Sequence, residues 1–262
     1  MLYLDSRVAL HCLQPLAVST YHLRIIPGRR LFSSTMQASS SKSTTLVVRE
    51  AKSQDALRAT AIELAAYATD PVAPALFPGP FGPDTNEQRI SEIVKNQETN
   101  PACQWAKVVD TELESAGKEP MIAFTEWYFW TGGDASEQRR LTQWGAGTNK
   151  EACELLLGGA HKEWEKLFKG KPHAFLKMLH TDPAHQKRGA ASQLIEWGTK
   201  KADDLGLACY LEASDVSRKL YERHGFEEVD KVAVDLSRWN GPADAKLTVM
   251  VRPKKDAAKS VA

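Results

Sequence analysis

Hydrophobic and polar positions change rhythm several times along this chain, and each change marks an element. Leu46, Val47 and Val48 predict a first strand. From Gln54 to Ala68, the residues Ala56, Leu57, Ala61, Leu64, Ala65 and Ala68 recur at helical spacing. Pro71, Pro74, Pro78, Pro80 and Pro83, with Gly79 and Gly82, predict a loop without regular structure. Asp84 or Thr85 then caps a helix running to about Asn96 through Ile90, Ile93 and Val94. Trp105 to Asp110 and Pro120 to Trp130 predict a hairpin of two strands joined by the charged stretch Thr111 to Glu119. In its second strand Ile122, Phe124, Tyr128 and Trp130 share a face on which Glu126 is the one carboxylate.

The second half repeats strand and helix patterns. Gly132, Gly133, Gly145 and Gly147 mark a mobile connection, and Asn149 to Phe168 predicts a helix with Leu155, Leu156, Trp164 and Leu167 available to pack. Ala174 to Thr181 predicts a strand that Asp182 and Pro183 stop. Ala191, Leu194, Ile195, Gly198, Ala202 and Leu205 follow at helical spacing. Further on, Ala208 to Glu212 reads as a strand, Val216 to His224 as a short helix, and Phe226 to Leu236 and Ala245 to Arg252 as strands turned at Gly241-Pro242. No internal repeat is present.

Composition narrows the class. With 262 residues and a hydrophobic fraction of 42%, the chain holds one large domain or two small ones of ordinary globular character. A formal net charge of +1 gives no global attraction to nucleic acid or acidic lipid, so any anion site is local. Cys12, Cys103, Cys153 and Cys209 share no metal-ligand spacing with histidines and read as reduced thiols. No apolar run reaches the length of a transmembrane helix. Before Glu50 the only acidic residue is Asp5, while Arg7, Arg24, Arg29 and Arg30 punctuate apolar segments. Residues 1–45 therefore read as a mitochondrial targeting segment, a disordered arm, or a stretch preceding a true start at Met36. The compartment assignment is cytoplasmic, with the mitochondrion as the alternative.

The chemistry is carried by the tight basic loop Gln186, Lys187, Arg188, Gly189, Ala190, Ala191 between a strand and a helix. The first N–H groups of a helix have no partner inside it and bind anions. Small side chains at Gly189, Ala190 and Ala191 let a pyrophosphate approach the main chain, and Lys187 and Arg188 add charge beside it. An ordinary strand-to-helix turn with a solvated basic tip is the alternative reading.

Gln-x-x-Gly-x-Ala after a strand resembles the signature with which GCN5-related N-acetyltransferases (GNAT) cradle the pyrophosphate of acetyl-CoA. A second block, Tyr210 to Ser214 and then Ser217 to Val229 with Leu220-Tyr221 and Gly225-Phe226, is similar to that family's strand, helix and Leu-Tyr-x-x-x-Gly-Phe. The resemblance spans about Leu46 to Arg252. It implies a mixed α/β (α+β) acyl-CoA N-acyltransferase fold, with a mostly antiparallel central sheet whose parallel fourth and fifth strands splay around the cofactor. The acetyltransferase domain would occupy residues 46–253, with 131–172 as an insertion and 254–262 as a tail.

What the resemblance implies for function is direct acetyl transfer from acetyl-CoA, as co-substrate, to an amine, without a metal. The acceptor would be a small molecule or a peptide; nucleic acid and membrane are not expected as partners, and the oligomeric state is not readable. Cofactor contacts would come from Met178, Leu179 and His180, from Gln186 to Ala191, and from Ser214, Ser217 and Tyr221. Ser214 stands where relatives often carry an asparagine, and a hydroxyl makes fewer bonds than an amide.

The Leu179 N–H would receive the thioester oxygen and Tyr221 would protonate the departing thiolate, or pack between helix and sheet. Glu126 is the first candidate for the base, because desolvation among aromatic rings raises a carboxylate's pKa. A structural ion pair at Glu126 and deprotonation through water are its alternatives, and Asp215 and Glu212 are further candidates. His180 and His185 resemble a histidine that is usually structural in the family. Phe77 and Phe81 would line the acceptor entrance or plug a surface loop, and Trp127 and Trp130 would stack on an aromatic acceptor or pack the sheet. The insertion would form a pocket lid or a helix covering the sheet. Two other classes stay open: an inactive CoA-binding sensor or interaction module, and an acyltransferase using another acyl-CoA or an alcohol.

Overall fold

The computed structural model describes residues 45–132 and 144–255. The N-terminal arm, the end of the tail and residues 133–143 of the expected insertion lie outside the described residues. In chain order the elements are β1 (Leu46–Glu50), α1 (Ala56–Tyr67), α2 (Ala73–Leu76), α3 (Thr85–Thr99), β2 (Cys103–Asp110), α4 (Thr111–Ser115) and β3 (Met121–Trp130). They continue with α5 (Lys150–Cys153), a π-helical turn Glu154–Gly158, α6 (Gly159–Phe168), β4 (His173–Thr181), α7 (Ala190–Asp204), β5 (Cys209–Ala213), α8 (Asp215–Glu222), β6 (Glu227–Val234) and β7 (Ala245–Arg252). No helix among the described residues is long and apolar enough to cross a membrane.

Among the described residues, the strands form one sheet in the order β1-β2-β3-β4-β5-β7-β6. Every neighbouring pair is antiparallel except β4 and β5, so the mixed α/β fold expected from the sequence is the one observed. On one face, Trp105, Phe124, Tyr128, Trp130, Phe175 and Tyr210 form a core with Ile62 of α1 and with Trp164 and Phe168 of α6. On the other face, Trp127, Phe129, Leu176 and Leu211 pack against Ile195 and Ala202 of α7 and Tyr221 of α8. A Cβ at Gly198 would fall inside the Trp127 ring, so the missing side chain is what brings α7 this close to β3.

Three local expectations need correction. The proline-rich stretch contains one helical turn, α2, because Pro74 sits near its start, where the N–H that proline lacks would have had no helix bond to make. The stretch after β2 is more than a charged connection: Asp110 accepts from the amides of Glu112 and Leu113 and so starts α4. The buried positions of α1 are Ala56, Ala59, Thr60, Ile62 and Glu63, while Leu57 is 68% exposed. That face includes two polar residues, which a count of apolar positions passes over.

Phe77 is buried in a core with Leu76, Ala152, Leu156 and Leu236, and Trp127 and Trp130 are buried in the sheet cores. Of the paired readings for these residues, the structure places them as packing. Trp164 and Phe168 likewise set α6 as a helix covering the sheet.

Candidate active site

The site begins where β4 leaves β5. Their parallel ladder consists of Ala174 with Cys209 and Phe175 with Tyr210. Past those rungs β5 stays paired on its other edge with β7, while β4 stays on β3, so the two part company. The cause is visible in the β3–β4 register, which slips between Glu126, opposite Met178, and Trp127, opposite Leu176. Lys177 is the extra residue of this bulge, and an extra residue bends its strand.

Alternation along β4 then orients the amides. The Asp182 N–H donates to Ile122 O at 2.9 Å, and the Met178 carbonyl accepts from Thr125 Oγ1 at 2.8 Å, so both groups face β3. Leu179, between them in sequence and out of phase with both, turns its N–H to the opposite edge, toward the gap.

The turn that follows is built from small residues and two left-handed positions. Asp182 accepts from the Ala184 N–H at 3.0 Å and from Arg58 Nη2 at 2.6 Å, which fixes the start of the turn. Lys187 has φ 61° and Gly189 φ 89°, and α7 begins at Ala190. Among the described residues, the amides of Lys187 to Ser192 donate to no protein acceptor, and a Cβ placed on Gly189 would meet nothing within 4 Å. Unpartnered amides, the positive end of a helix and open space beside a glycine fit a pyrophosphate. Lys187 is exposed and makes no ion pair among the described residues, and Gln186 is exposed beside it.

Arg188 departs from the expected loose cationic tip. Its Nη2 donates to Asp110 Oδ2 at 2.7 Å and its Nη1 lies 3.1 Å from His185 Nδ1, so the guanidinium is tied to the start of α4. Burial alone would raise the Asp110 carboxyl, but Arg188 and the two α4 amides outweigh it and hold the carboxyl below its ordinary range.

Across the gap, Ser214 and Ser217 bond each other through their hydroxyls at 3.0 Å, and Ser217 Oγ also donates to Ser214 O. Tyr221 is 8% exposed and packs edge-on against Phe226. Burial holds its phenol well above the usual tyrosine range, against the opposing pull of the Ser217 hydroxyl.

Residues 105–226 match the acetyltransferase (GNAT) family, a span that runs from within β2 to the residue before β6 and contains the bulge, the gap and the turn. The chain carries a GNAT acetyltransferase domain. Comparison with the curated proteins gives no match. Among solved structures, a Corynebacterium glutamicum protein described as histone acetyltransferase HPA2 and related acetyltransferase superposes with a TM-score of 0.51 at 19% identity, covering 81% of this chain and 98% of that one. The mosquito arylalkylamine N-acetyltransferase like 5b superposes with a TM-score of 0.52 at 16% identity, covering 79% of this chain and 99% of that one. At these identities the likeness establishes the fold.

On the α1 face of the GNAT domain, two tyrosine–glutamate pairs flank the gap. Tyr128 OH donates to Glu126 Oε1 at 2.6 Å on β3, and Tyr210 OH donates to Glu212 Oε1 at 2.7 Å on β5. Glu126 is 1% exposed, and Lys177 Nζ at 3.3 Å and Cys103 Sγ at 3.5 Å also point to its Oε1, while Oε2 has no partner. Burial drives the Cys103 thiol, and likewise the Tyr128 phenol, above their usual ranges. Glu126 is thus an anchored, ion-paired carboxylate rather than one surrounded by aromatic rings alone. Asp215, a weaker candidate, is engaged by Lys246 Nζ at 2.8 Å.

Residues that sequence reasoning passed over stand at the mouth of the gap. Tyr67, at the end of α1, meets the His180 ring at 5.0 Å and 66°. Beneath them Glu63 and Arg89 form a buried ion pair, each side chain 6% exposed. Burial raises the Tyr67 phenol, and Glu63, Asp70 and Tyr221 add to that rise. Tyr221 therefore reaches from the α7 face to within electrostatic range of Tyr67 on the other face. The readable signal for this group was Thr60, Glu63 and Tyr67 at three- and four-residue spacing along the buried side of α1.

Proposed function

We propose that this GNAT domain is an acetyl-CoA-dependent N-acetyltransferase that passes an acetyl group directly to an amine of a small molecule or peptide. One observation carries the reading: open amides from Lys187 to Ser192 lie beside a β4 edge that a bulge has freed from β5. Gly189, Ala190 and Ala191 would hold the pyrophosphate through their N–H groups, with Lys187 and Gln186 at the rim. The backbone of Met178, Leu179 and His180 would line the pantetheine arm from β4, and Ser214, Ser217 and Tyr221 from the opposite wall.

Bound acetyl-CoA supplies an acetyl group activated as a thioester. Leu179 would donate its N–H to the carbonyl oxygen as charge develops there, a preorganised contact of the kind worth about 3 kcal/mol. Tyr221, kept protonated by burial, would hydrogen-bond the sulfur and give it a proton. On the acceptor face the domain offers two groups able to take the amine's proton, Glu126 through Oε2 and His180. In place of an asparagine, Ser214 spends its hydroxyl on Ser217, so its contact to the cofactor would be through the main chain.

Release of thiol from acetyl-CoA, followed across a panel of primary amines and peptides with free N-termini, tests the reading. Amine-dependent release supports it. Tight binding of acetyl-CoA with no release above hydrolysis would assign the domain to the CoA-binding sensor class, and release with hydroxyl acceptors alone would replace the amine by an alcohol.

A further inference from the structure

We propose that the His180 imidazole takes the proton from the acceptor amine. This rests on the acetyltransferase reading above and names a group that reading leaves open.

Position comes first. His180 directly follows Leu179, so its backbone belongs to the strand segment that faces the gap. Its partner across β3 is Phe124, one of the residues of the α1-side core, and its ring meets Tyr67 of α1 on that same face. Tyr67 in turn lies within electrostatic reach of Tyr221. An imidazole, a phenol from α1 and the phenol proposed as proton donor thus converge where β4 leaves β5.

Availability separates His180 from Glu126. Neither ring nitrogen of His180 is bonded to a protein group among the described residues, whereas Glu126 Oε1 receives three donors and its carboxylate is paired with Lys177. His180 also keeps part of its surface exposed, while Glu126 is 1% exposed.

Charge state agrees with this. The charged and titratable groups facing the ring are Glu63 and Tyr67 from α1, Arg89 from α3 and, beyond Tyr67, Tyr221 from α8. Burial lowers the imidazole below its ordinary range, Glu63 opposes that shift and Arg89 adds to it. His180 is therefore neutral at pH 7, with a lone pair to accept a proton.

The step balances as follows. His180 takes one proton from the ammonium and returns it to solvent. The amine lone pair forms the N–C bond as the C–S bond breaks, Tyr221 gives its proton to sulfur, and the second proton shed by nitrogen restores the phenol. One amide, one thiol and one proton in solution result.

The test uses the full chain, acetyl-CoA and whichever of tryptamine, spermidine or an N-terminally blocked lysine peptide, all amines of pKa near ~10, gives turnover. For wild type, kcat/KM should rise only below about pH 6.5 and stay flat to about pH 9, because an ammonium of pKa near 10 is deprotonated on the protein. His180→Gln should lose roughly 100-fold or more at pH 7 and climb tenfold per pH unit toward the amine's own pKa. Two readouts do not depend on turnover: the His180 ring should titrate below about 6.5 by NMR, and acetyl-CoA affinity by calorimetry should change less than about twofold in the variant.

Wild-type activity with unchanged turnover in His180→Gln would overturn this inference alone. No thiol release by wild type with any amine would overturn the reading beneath it. If the variant does not fold, the wild-type profile decides together with the NMR titration: a plateau whose acid limb falls at the His180 ring's own midpoint supports His180, and a limb away from that midpoint or a steady climb toward pH 10 overturns it.

Discussion

Arg188 reaches from the turn before α7 to the start of α4, its Nη2 donating to Asp110 Oδ2 at 2.7 Å. Asp110 is nearly buried, with a side chain 3% exposed, and it also caps α4. One carboxylate therefore fixes both a helix start and the turn that presents the open amides. The arginine's charge is spent inside the protein, and its backbone N–H is left without a protein acceptor among the described residues.

Arg188→Ala should loosen the turn and leave Asp110 with its two amides alone. Arg188 is 35% exposed, so solvent screening limits the effect to about 1 kcal/mol of stability. The same looseness should weaken acetyl-CoA binding by roughly tenfold, since a turn held less firmly must be ordered on binding. Denaturant unfolding and calorimetry read the two effects; unchanged affinity would remove Arg188 from the account of the turn.

Gly189 separates conformational strain from bulk. Gly189→Ala has open space for its Cβ, so only the left-handed φ of 89° is strained, at a cost of about 1 kcal/mol. Gly189→Glu adds a negative charge at the helix start and should abolish acetyl-CoA binding, while folding as Gly189→Ala does. Equal affinities of the two variants in calorimetry would place the pyrophosphate elsewhere.

Tyr221→Phe keeps the ring against Phe226 and removes only the hydroxyl. Turnover should fall by about ten- to a hundredfold with acetyl-CoA affinity nearly unchanged, because a group acting on developing charge contributes little to ground-state binding. Equal turnover would reduce Tyr221 to packing.

Stability should follow pH in two stages. Burial lowers the pKa of His180 and of His224, so below about 6.5 the unfolded chain binds protons that the fold resists, and stability falls as pH falls through that range. Asp110, Asp182 and Asp203 are depressed: burial would raise each, but bonds to Arg188, to Arg58 and to Arg252 with Lys255 outweigh it. Their contribution is present above about pH 3.9 and is lost below it as the carboxylates protonate. Urea midpoints measured from pH 8 to pH 3 should show a shallow decline, then a steep one. A flat line between pH 7 and pH 5 would contradict the histidine assignment.

The sequence made the strands, the turn and α7 legible because each rests on local pattern: apolar runs, a glycine at a helix start, apolar spacing of three and four. What it left hidden depends on contacts distant in the chain. The Lys177 bulge is a mismatch between β3 and β4, and nothing within Ala174 to Thr181 marks it. Arg188 looked like free charge because its partner Asp110 is 78 residues away. Tyr67 and His180 meet only once α1 crosses the end of β4. The partner of Glu126 was not legible, because Lys177 comes to it through the bulge. α4 is a milder case, since Asp110 before Thr111 is itself a capping signal.

The central claim is that the amides of the α7 turn and of Leu179 receive acetyl-CoA. Backbone amide NMR of the full chain, titrated with acetyl-CoA, tests this most directly. The expected result is that the signals of Gly189, Ala190, Ala191 and Leu179 shift together and saturate at one concentration. Saturable binding that leaves these four signals in place and moves another part of the sheet would contradict it.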